Sequence, residues 1–431
     1  MTDAAEQHAA LPEAERAAIQ RKVLRVLFLS QIFGSAGVSV AVSVGGRFVS
    51  EITNGSTWGG TSSAAVTFGG AIAGLMLSGL MRQHGRRPGL SAGYVLSILG
   101  GIAVVAGIEL SSLSIFLVGS LFFGVGQGTN LLARYAAADL AVPLERAQAM
   151  SMLMFGSTFG AVLSLVLVEP LRNLAVRAGM VNYSGPYVFA IALLCLSFIN
   201  TTVRLKPDPL KLAGGVSKSA KRFQVPNIGQ AVRVVRTSRL ATLGLSSMIV
   251  SQTAMVAVMT MTPVHMKEHG HDGTSSYVIA LHVVGMYGLA PLIGRLSDRR
   301  GRLQVVIGGA SIMVVATIIS AAAGARPVLL FIGLFLLGLG WSGAMISGTA
   351  LLTENVPLAE KVGVQGSADL LMSLSGGTAA FLSGFIKQAL EYHYLSMIGT
   401  AGAFALLLYA MRTMRAIRAT SASAANAIAA S

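Results

Sequence analysis

Twelve long apolar runs constrain this chain more than any other feature. A helix needs about 20 predominantly apolar residues to cross a bilayer, and each run is free of Asp, Glu, Lys and Arg. Only 11% of the residues are charged, whereas soluble domains carry about a quarter. The pattern predicts a polytopic membrane protein with twelve transmembrane segments. The runs cover residues 26–46, 52–81, 88–108, 110–133, 147–168, 178–203, 240–266, 273–294, 303–325, 327–353, 370–386 and 394–411.

The segments are predicted to be helices and not strands of a barrel. They are rich in Gly, Ala and Leu, and they lack the short alternating pattern of a membrane barrel. In hydrocarbon, a helix satisfies its backbone hydrogen bonds within one segment. The 50 glycines allow helices to approach closely, so we expect an all-α fold with compact packing.

The net charge of +15 suggests nucleic-acid binding until the basic residues are assigned to loops. With twelve segments, both termini lie on the same side of the membrane. That side receives all but six of the 32 Lys and Arg residues, and by the positive-inside rule it is the cytoplasm. We therefore expect a multi-pass protein of a bacterial-type inner membrane, with both termini cytoplasmic, in contact with the lipid bilayer and not with nucleic acid. The six exceptions are Arg47, Arg172, Arg177, Lys267, Arg326 and Lys387.

The two halves of the chain repeat the same short motifs in the same order. SGLMRQHGRRPGL at 78–90 corresponds to GRLSDRRGRL at 294–303, and ADLAVPLERAQ at 138–148 corresponds to TENVPLAEKVGVQ at 353–365. Ser30–Gln31 and Ser251–Gln252 form a third pair. Related halves predict two pseudo-symmetric six-helix bundles around a central cavity, with a binding site near the membrane midplane.

A basic stretch that contains Pro and Gly separates the halves. Its composition is typical of a linker, and its end, NIGQAVRVVRTSR, has the pattern of an amphipathic helix at the membrane surface. We predict a cytoplasmic N-terminal segment at 1–22, a bundle at 23–203, a linker at 204–237, a bundle at 238–413 and a disordered cytoplasmic tail at 414–431.

The repeated loops differ in one acid. The earlier loop has Ser78, Arg82 and Gln83 where the later loop has a glycine, an acid and a base. With its loops, linker and repeat, the chain resembles the major facilitator superfamily, whose signature G-x-x-x-D-R-x-G-R-[RK] follows the second segment. The resemblance implies a twelve-segment small-molecule transporter, and we expect a drug or metabolite efflux type. The later loop contains Gly294, Asp298, Arg299, Gly301 and Arg302, and the earlier one keeps Gly85, Arg86 and Arg87.

In the resembled family this loop latches the cytoplasmic gate. The resemblance and the repeat together imply that Asp298 meets the start of the fifth segment, near Arg146, because acids are favoured at helix N-termini. Arg82 would lie at the start of the eleventh segment, where we expect Glu360 as its partner. Alternatively, Arg82 is only one more of the cytoplasmic basic residues that set the membrane topology. The candidate gating residues also include Arg134, Asp139 and Glu354.

Two ionisable residues inside the runs are candidates for proton coupling. Asp369 lies in the eleventh segment, if that segment extends back to Val362, and His282 lies near the middle of the eighth. Buried charge in a membrane is costly and usually functional, and both groups can change charge at accessible pH. The alternatives are a structural ion pair for Asp369 and a neutral, hydrogen-bonded His282.

The candidate substrate-binding residues are polar or adaptable side chains on the cavity-facing segments that the resemblance implies. Gln127, Asn130 and Arg134 share one helix face at i, i+3 and i+7. Arg134 has an alternative role as an ion-pair partner of Asp139. Packing is the alternative for the methionines and the tryptophan. The predicted substrate site comprises Gln31, Gln127, Asn130, Gln252, Met255 and Trp341.

A histidine cluster on the side opposite the termini makes metal binding an alternative to consider. His265, His269 and His271 stand beside Asp272, and imidazole suits divalent transition metals. A helix end and its turn produce the same pattern without metal, so our site prediction includes no metal.

We therefore predict a secondary active transporter that moves a small organic solute by alternating access, as a proton-coupled exporter of the antiporter type. The chain has no P-loop, and we expect no cofactor, no enzymatic activity and a monomer. The alternatives are an uptake permease for a nutrient or organic anion, with Arg134 as counter-charge, and a divalent-metal or metal-chelate exporter.

Overall fold

The structure, a computed structural model, describes residues 12–53, 60–216, 226–271 and 274–430. Within these residues, eleven helices are long and apolar enough to span a membrane, and a bent pair brings the number to twelve when it counts as one span. The predicted all-α fold with twelve transmembrane helices is confirmed. The helices are α1 Glu13–Ile52, α2 Gly60–His84, α3 Arg86–Glu109, α4 Leu113–Ala138, α5 Arg146–Arg177, α6 Ser184–Arg204, α7 Arg239–Glu268, α8 Tyr277–Arg300, α9 Arg302–Ala321, α10 Pro327–Glu354, α11 Leu358–Lys387 and α12 Ala389–Ala419.

Regular helix also forms in segments that the sequence predicted to be a linker or a tail. The linker contains two short helices, Pro209–Leu212 and Ile228–Arg236. The chain is helical as far as Ala430, whereas the sequence predicted a disordered tail from 414. The tail is rich in alanine and has no Gly or Pro, so nothing in its composition ends the helix.

Three of the spanning helices are irregular at or near Gly or Pro. α4 is interrupted at Gly124, which separates Leu113–Phe123 from Val125–Ala138. α5 bends by 45° between Leu163 and Val166, where Pro170 cannot donate a hydrogen bond to the preceding turn. α8 contains a π-helical turn at Val284–Gly288, just before a proline.

The first compact unit consists of Met1–Ala231 together with Pro357–Gly377. Its helices approach closely at glycines: a Cβ on Gly69 of α2 would lie 1.8 Å from the backbone oxygen of Leu121 in α4. Aromatic rings fill the wider spaces, and the ring centroids of Phe48 and Phe116 are 4.7 Å apart. The glycine-rich composition thus produces tight backbone packing.

The second compact unit consists of Val232–Val356 together with Thr378–Ser431. Here α10 packs against α7 and α9, again through glycines. A Cβ on Gly244 would lie 2.6 Å from the backbone oxygen of Gly348. The first part of α11 belongs to the first unit. The predicted bundle boundaries, 23–203 and 238–413, remain a prediction.

Candidate functional site

A buried ion pair joins α4 to the first part of α11. Arg134 donates a hydrogen bond to Asp369 Oδ1, and both side chains are almost completely inaccessible. The hydroxyl of Tyr135 donates to the same oxygen at 3.0 Å. The other oxygen of Asp369, Oδ2, is buried and has no hydrogen-bond partner among the described residues. The partner suggested for Arg134 from the sequence, Asp139, was wrong, because Asp139 is occupied by Arg86.

Arg86 forms a second buried ion pair, on the first turn of α3. Its guanidinium donates to both oxygens of Asp139, from Nε to Oδ2 at 2.8 Å and from Nη2 to Oδ1 at 3.2 Å. Nη2 also donates to Gln365 Oε1 at 2.8 Å. This two-point geometry is the strong arrangement for an arginine and a carboxylate. Arg86 is fully buried, so the pair belongs to the interior of the unit.

The polar residues of α11 lie on one face of the helix. Lys361, Gln365 and Asp369 are spaced four residues apart, which places them above one another. Lys361 Nζ lies 3.8 Å from Asp139 Oδ1, and the other two bind Arg86 and Arg134. We call Lys361, Gln365 and Asp369, with Asp139, Arg86 and Arg134, the α11 polar ladder. The ladder ties the first part of α11 to α3, α4 and the turn after α4.

The loop between α2 and α3 receives an acid from the linker. Gly85 has φ 102°, a conformation open to glycine. Asp208 accepts hydrogen bonds from the backbone N–H groups of Arg86, at 3.1 Å, and Arg87, at 2.7 Å. Asp208 was not among the residues predicted from the sequence. The signal that was present is Asp-Pro at the start of the short helix Pro209–Leu212, a typical N-cap pattern.

The corresponding loop between α8 and α9 contains its own acid. Asp298 Oδ1 lies 2.9 Å from Arg302 Nη2, which also donates to Glu354 Oε1 at 3.0 Å. Gly301 has φ 101°, Gly294 is buried and Arg299 is exposed. The second unit thus contains a carboxylate on each side of Arg302. The predicted meeting of Asp298 with the start of α5 remains a prediction.

Arg82 and Glu360, both described residues, do not form the ion pair expected from the sequence. Glu360 Oε1 accepts a hydrogen bond from Gln230 Nε2 at 3.1 Å, so the linker helix Ile228–Arg236 reaches the start of α11. Arg82 Nε is buried without a hydrogen-bond partner among the described residues. The expectation was wrong because the approach of the linker helix to Glu360 has no counterpart in the sequence pattern.

Two of the predicted substrate-binding residues lie close together in the first unit. Gln31 Nε2 donates to Ser157 Oγ at 2.9 Å, and Gln31 Oε1 is buried without a partner among the described residues. Asn130 packs against Gly34, one turn along α1 from Gln31: a Cβ on Gly34 would lie 2.5 Å from Asn130 Oδ1. Gln127, one turn earlier in α4, is half-buried beside α2.

The remaining three substrate candidates lie in the second unit. Trp341 Nε1 donates to Gln252 Oε1 at 2.9 Å. The Trp341 ring meets Tyr287 edge to face, with centroids 5.7 Å apart, and Tyr287 lies in the π-helical turn of α8. Met255, one turn from Gln252, is buried. Helices α7, α8 and α10 therefore bring an amide and two aromatic rings together.

His282 is fully buried in α8. Its Nδ1 is hydrogen-bonded to the backbone oxygen of Leu334 at 2.7 Å, so this nitrogen carries a proton and acts as the donor. Nε2 is buried and has no partner among the described residues. The geometry is that of a neutral histidine held by the backbone, which was the alternative to proton coupling.

The histidine cluster binds backbone carbonyls. His265 Nε2 bonds to Gly324 O at 2.9 Å, and His271 Nε2 bonds to Ala325 O at 3.0 Å. His269 Nδ1 bonds to the backbone oxygen of His265 at 2.8 Å. Asp272 lies outside the described residues. Within the described part of the chain, no group of three His, Cys, Asp or Glu could hold a metal ion.

Twelve apolar helices, repeated loops and buried ion pairs at the loop ends define a polytopic helical membrane protein of the transporter class. The chain belongs to the Major Facilitator Superfamily, whose family model matches residues 27–380 and 245–429. The resemblance inferred from the sequence is therefore confirmed, and the protein is a membrane transporter and not an enzyme.

Relatives and solved structures agree with this assignment. The chain is 37% identical over 399 residues to the uncharacterized MFS-type transporter YdeG of Bacillus subtilis (strain 168), covering 92% of each chain. It is 26% identical over 374 residues to the riboflavin transporter RfnT of Brucella anthropi, covering 86% of this chain and 90% of the relative.

The solved structures show the shared fold. A variant of the E. coli fucose:proton symporter FucP superposes with a TM-score of 0.69 at 17% identity, covering 89% of this chain and 97% of that chain. A bacterial homologue of the iron transporter ferroportin, in an outward-facing state, superposes with a TM-score of 0.72 at 15% identity, covering 90% and 98%.

Proposed function

We propose that the protein is a proton-coupled secondary transporter that exports a small organic solute across a bacterial-type inner membrane, with both termini in the cytoplasm. The observation that carries the proposal is the buried pair of Arg134 and Asp369. An ionisable acid within a membrane-spanning helix is costly, and here its ion pair with an arginine holds two helices together.

Protonation of Asp369 would link proton movement to helix movement. It removes the negative charge and leaves Arg134 buried without a counter-ion, which is a strongly unfavourable arrangement. The contact between α4 and α11 then weakens. Asp369 Oδ2, which is buried without a hydrogen-bond partner among the described residues, is the oxygen on which the proton would be accepted. Alternating access requires such a contact to break and re-form in each cycle.

The solute that we propose is neutral or amphipathic and contains a flat ring. Within the second unit, the amide of Gln252 lies beside the indole ring of Trp341, and these groups suit hydrogen-bonding aromatic compounds. The relative RfnT is a riboflavin transporter. Riboflavin is therefore the first solute to test.

The alternative functions have less support. Uptake of an organic anion would use Arg134 as counter-charge, but Arg134 is already paired with Asp369. Metal export would use the histidine cluster, whose rings bind backbone carbonyls. We retain both as outcomes of the experiment.

Reconstitution into proteoliposomes tests the proposal. Riboflavin is the first probe, and a thermal-shift screen with drugs, metabolites and divalent metals supplies others. We expect an imposed pH gradient to accelerate solute movement in the parent protein. Asp369→Asn should retain solute exchange at equal pH and lose the response to the gradient, because an amide cannot carry the proton.

Glu145→Gln is the matched control, because Glu145 is an exposed acid of the same unit. It should behave like the parent protein. Proton coupling would be contradicted if solute transport by the parent protein did not respond to the pH gradient and Asp369→Asn transported the solute at the same rate. Gradient-driven accumulation in the direction opposite to that proposed would identify an uptake permease.

A further inference from the structure

We propose that Asp208 supplies, from the linker, the acid that the α2–α3 loop lacks at position 82, and that it positions Arg86 in the α11 polar ladder. This role goes beyond the proposed function: it concerns how the contacts of the ladder are held, and it does not depend on the solute or on proton coupling.

The two repeated loops differ in the residue that stands four positions before the equivalent arginine, Arg86 or Arg302. In the second unit, Asp298 precedes Arg302 by four residues, and the two side chains pair at 2.9 Å. In the first unit, the equivalent positions are Arg82 and Arg86. Two positive side chains cannot form an ion pair, so Arg82 cannot serve Arg86 as Asp298 serves Arg302.

Asp208 brings a carboxylate to the start of α3. Its oxygens accept hydrogen bonds from the N–H groups of Arg86 and Arg87 on one side, at 3.1 and 2.7 Å, and of Leu210 and Lys211 on the other, at 3.0 and 3.3 Å. The first N–H groups of a helix have no partner within it, and the helix N-terminus carries partial positive charge. One buried carboxylate therefore caps the start of α3 and the start of the short helix Pro209–Leu212.

The loop is shaped to admit this carboxylate. A Cβ on Gly85 would lie 2.6 Å from Asp208 Oδ2 and 2.7 Å from its carboxyl carbon. Any other residue at position 85 would push the carboxylate away from the N–H groups. The positive φ of 102° at the same residue leads the chain directly into the first turn of α3.

The cap acts on the ladder through a single residue. Asp208 holds the backbone nitrogen of Arg86, and the guanidinium of Arg86 binds Asp139 and Gln365. If the first turn of α3 unfolds, the backbone of Arg86 is no longer held in place. Its guanidinium then loses its fixed position, and α11 loses the hydrogen bond between Arg86 and Gln365. Asp208 is thus a positioning residue, since its contacts reach α11 only by way of Arg86.

Thiol labelling of α11 tests this role without a substrate. In a Cys195→Ser background, Ser367→Cys places a thiol between Gln365 and Asp369, at a position that is 1% exposed. We expect Asp208→Ala to raise the rate of labelling by N-ethylmaleimide about fivefold, the effect of losing one helix cap. Adding Arg82→Asp should restore slow labelling, because it returns an acid to the loop, whereas adding Arg82→Ala should not.

Further variants separate positioning from general destabilisation. Asp208→Asn keeps an acceptor for the cap and loses the charge, so we expect labelling between that of the parent and Asp208→Ala. Glu145→Ala, which removes an exposed acid elsewhere in the unit, should label like the parent. Failure of Arg82→Asp to restore slow labelling would overturn the proposal, as would parental labelling of Asp208→Asn. If Asp208→Ala does not fold, Asp208→Asn with and without Arg82→Asp gives the same comparison.

Discussion

The α2–α3 loop and the α8–α9 loop contain equivalent arginines, but different acids surround them. In both, the arginine after the positive-φ glycine pairs with the acid before the Val-Pro-Leu of the repeat: Arg86 with Asp139 and Arg302 with Glu354. The acid before the glycine is present only in the second loop. The arginine–acid pair is therefore the part that the two loops share, and the acid before the glycine is the part in which they differ.

The two pairs also differ in burial. The side chains of Arg86 and Asp139 are 0% and 1% exposed, whereas those of Arg302 and Glu354 are 12% and 19% exposed. Loss of one partner is far more costly where the other stays buried and charged than where water can reach it. The first loop should therefore be the more sensitive of the two to substitution.

Removal of the acid from each pair should show the largest difference. We expect Asp139→Ala to lower the free energy of unfolding by about 3–5 kcal/mol, because Arg86 is left buried without a counter-charge. Glu354→Ala should cost only about 1 kcal/mol, since Asp298 still faces Arg302. Thermal unfolding of the purified proteins in detergent measures both. Equal losses would show that burial does not distinguish the loops.

Substitution of the two glycines should show a smaller difference. Both have φ near 100°, so Gly85→Ala and Gly301→Ala each carry strain of about 1–3 kcal/mol. At position 85 the new methyl group meets the fixed carboxylate of Asp208, whereas at position 301 it meets the flexible end of Gln304. We expect Gly85→Ala to be the more destabilising in the same unfolding assay. The opposite order would indicate that Asp208 moves aside at little cost.

The membrane spans could be predicted from the sequence because a bilayer imposes one length and one polarity on every span. Each apolar run corresponds to a spanning helix, and even the bent α5 was recognised as one segment. The regular tail and the linker helices could not be predicted in the same way. They lie outside the apolar runs, where no comparable constraint on composition acts.

The ladder was predicted only in part. Asp369 was recognised as unusual because charge inside an apolar run needs a partner, and Arg134 was recognised as part of the polar face that it shares with Gln127 and Asn130. Their pairing was missed because it joins α4 to α11, and helix periodicity describes only one helix at a time. A similar reason explains why Gln365, Tyr135 and Asp208 were missed. The sequence around each of them is ordinary, and each makes its contact with a helix or loop that is distant in the sequence.

Arg82→Asp in the otherwise unchanged chain should have the smallest effect, and it bears most directly on the comparison. A new ion pair with Arg86 across Gly85 is worth about 0.2–1 kcal/mol, and Asp208 already caps the turn. The matched change in the second loop, Asp298→Asn, should cost about 1 kcal/mol, because it removes one charge from the partly buried pair while Glu354 still faces Arg302. Unfolding of the Arg82 and Asp208 single and double variants gives their coupling energy. Additive effects would mean that the two positions do not share one role; a gain from Arg82→Asp that is larger when Asp208 is absent would show that they do.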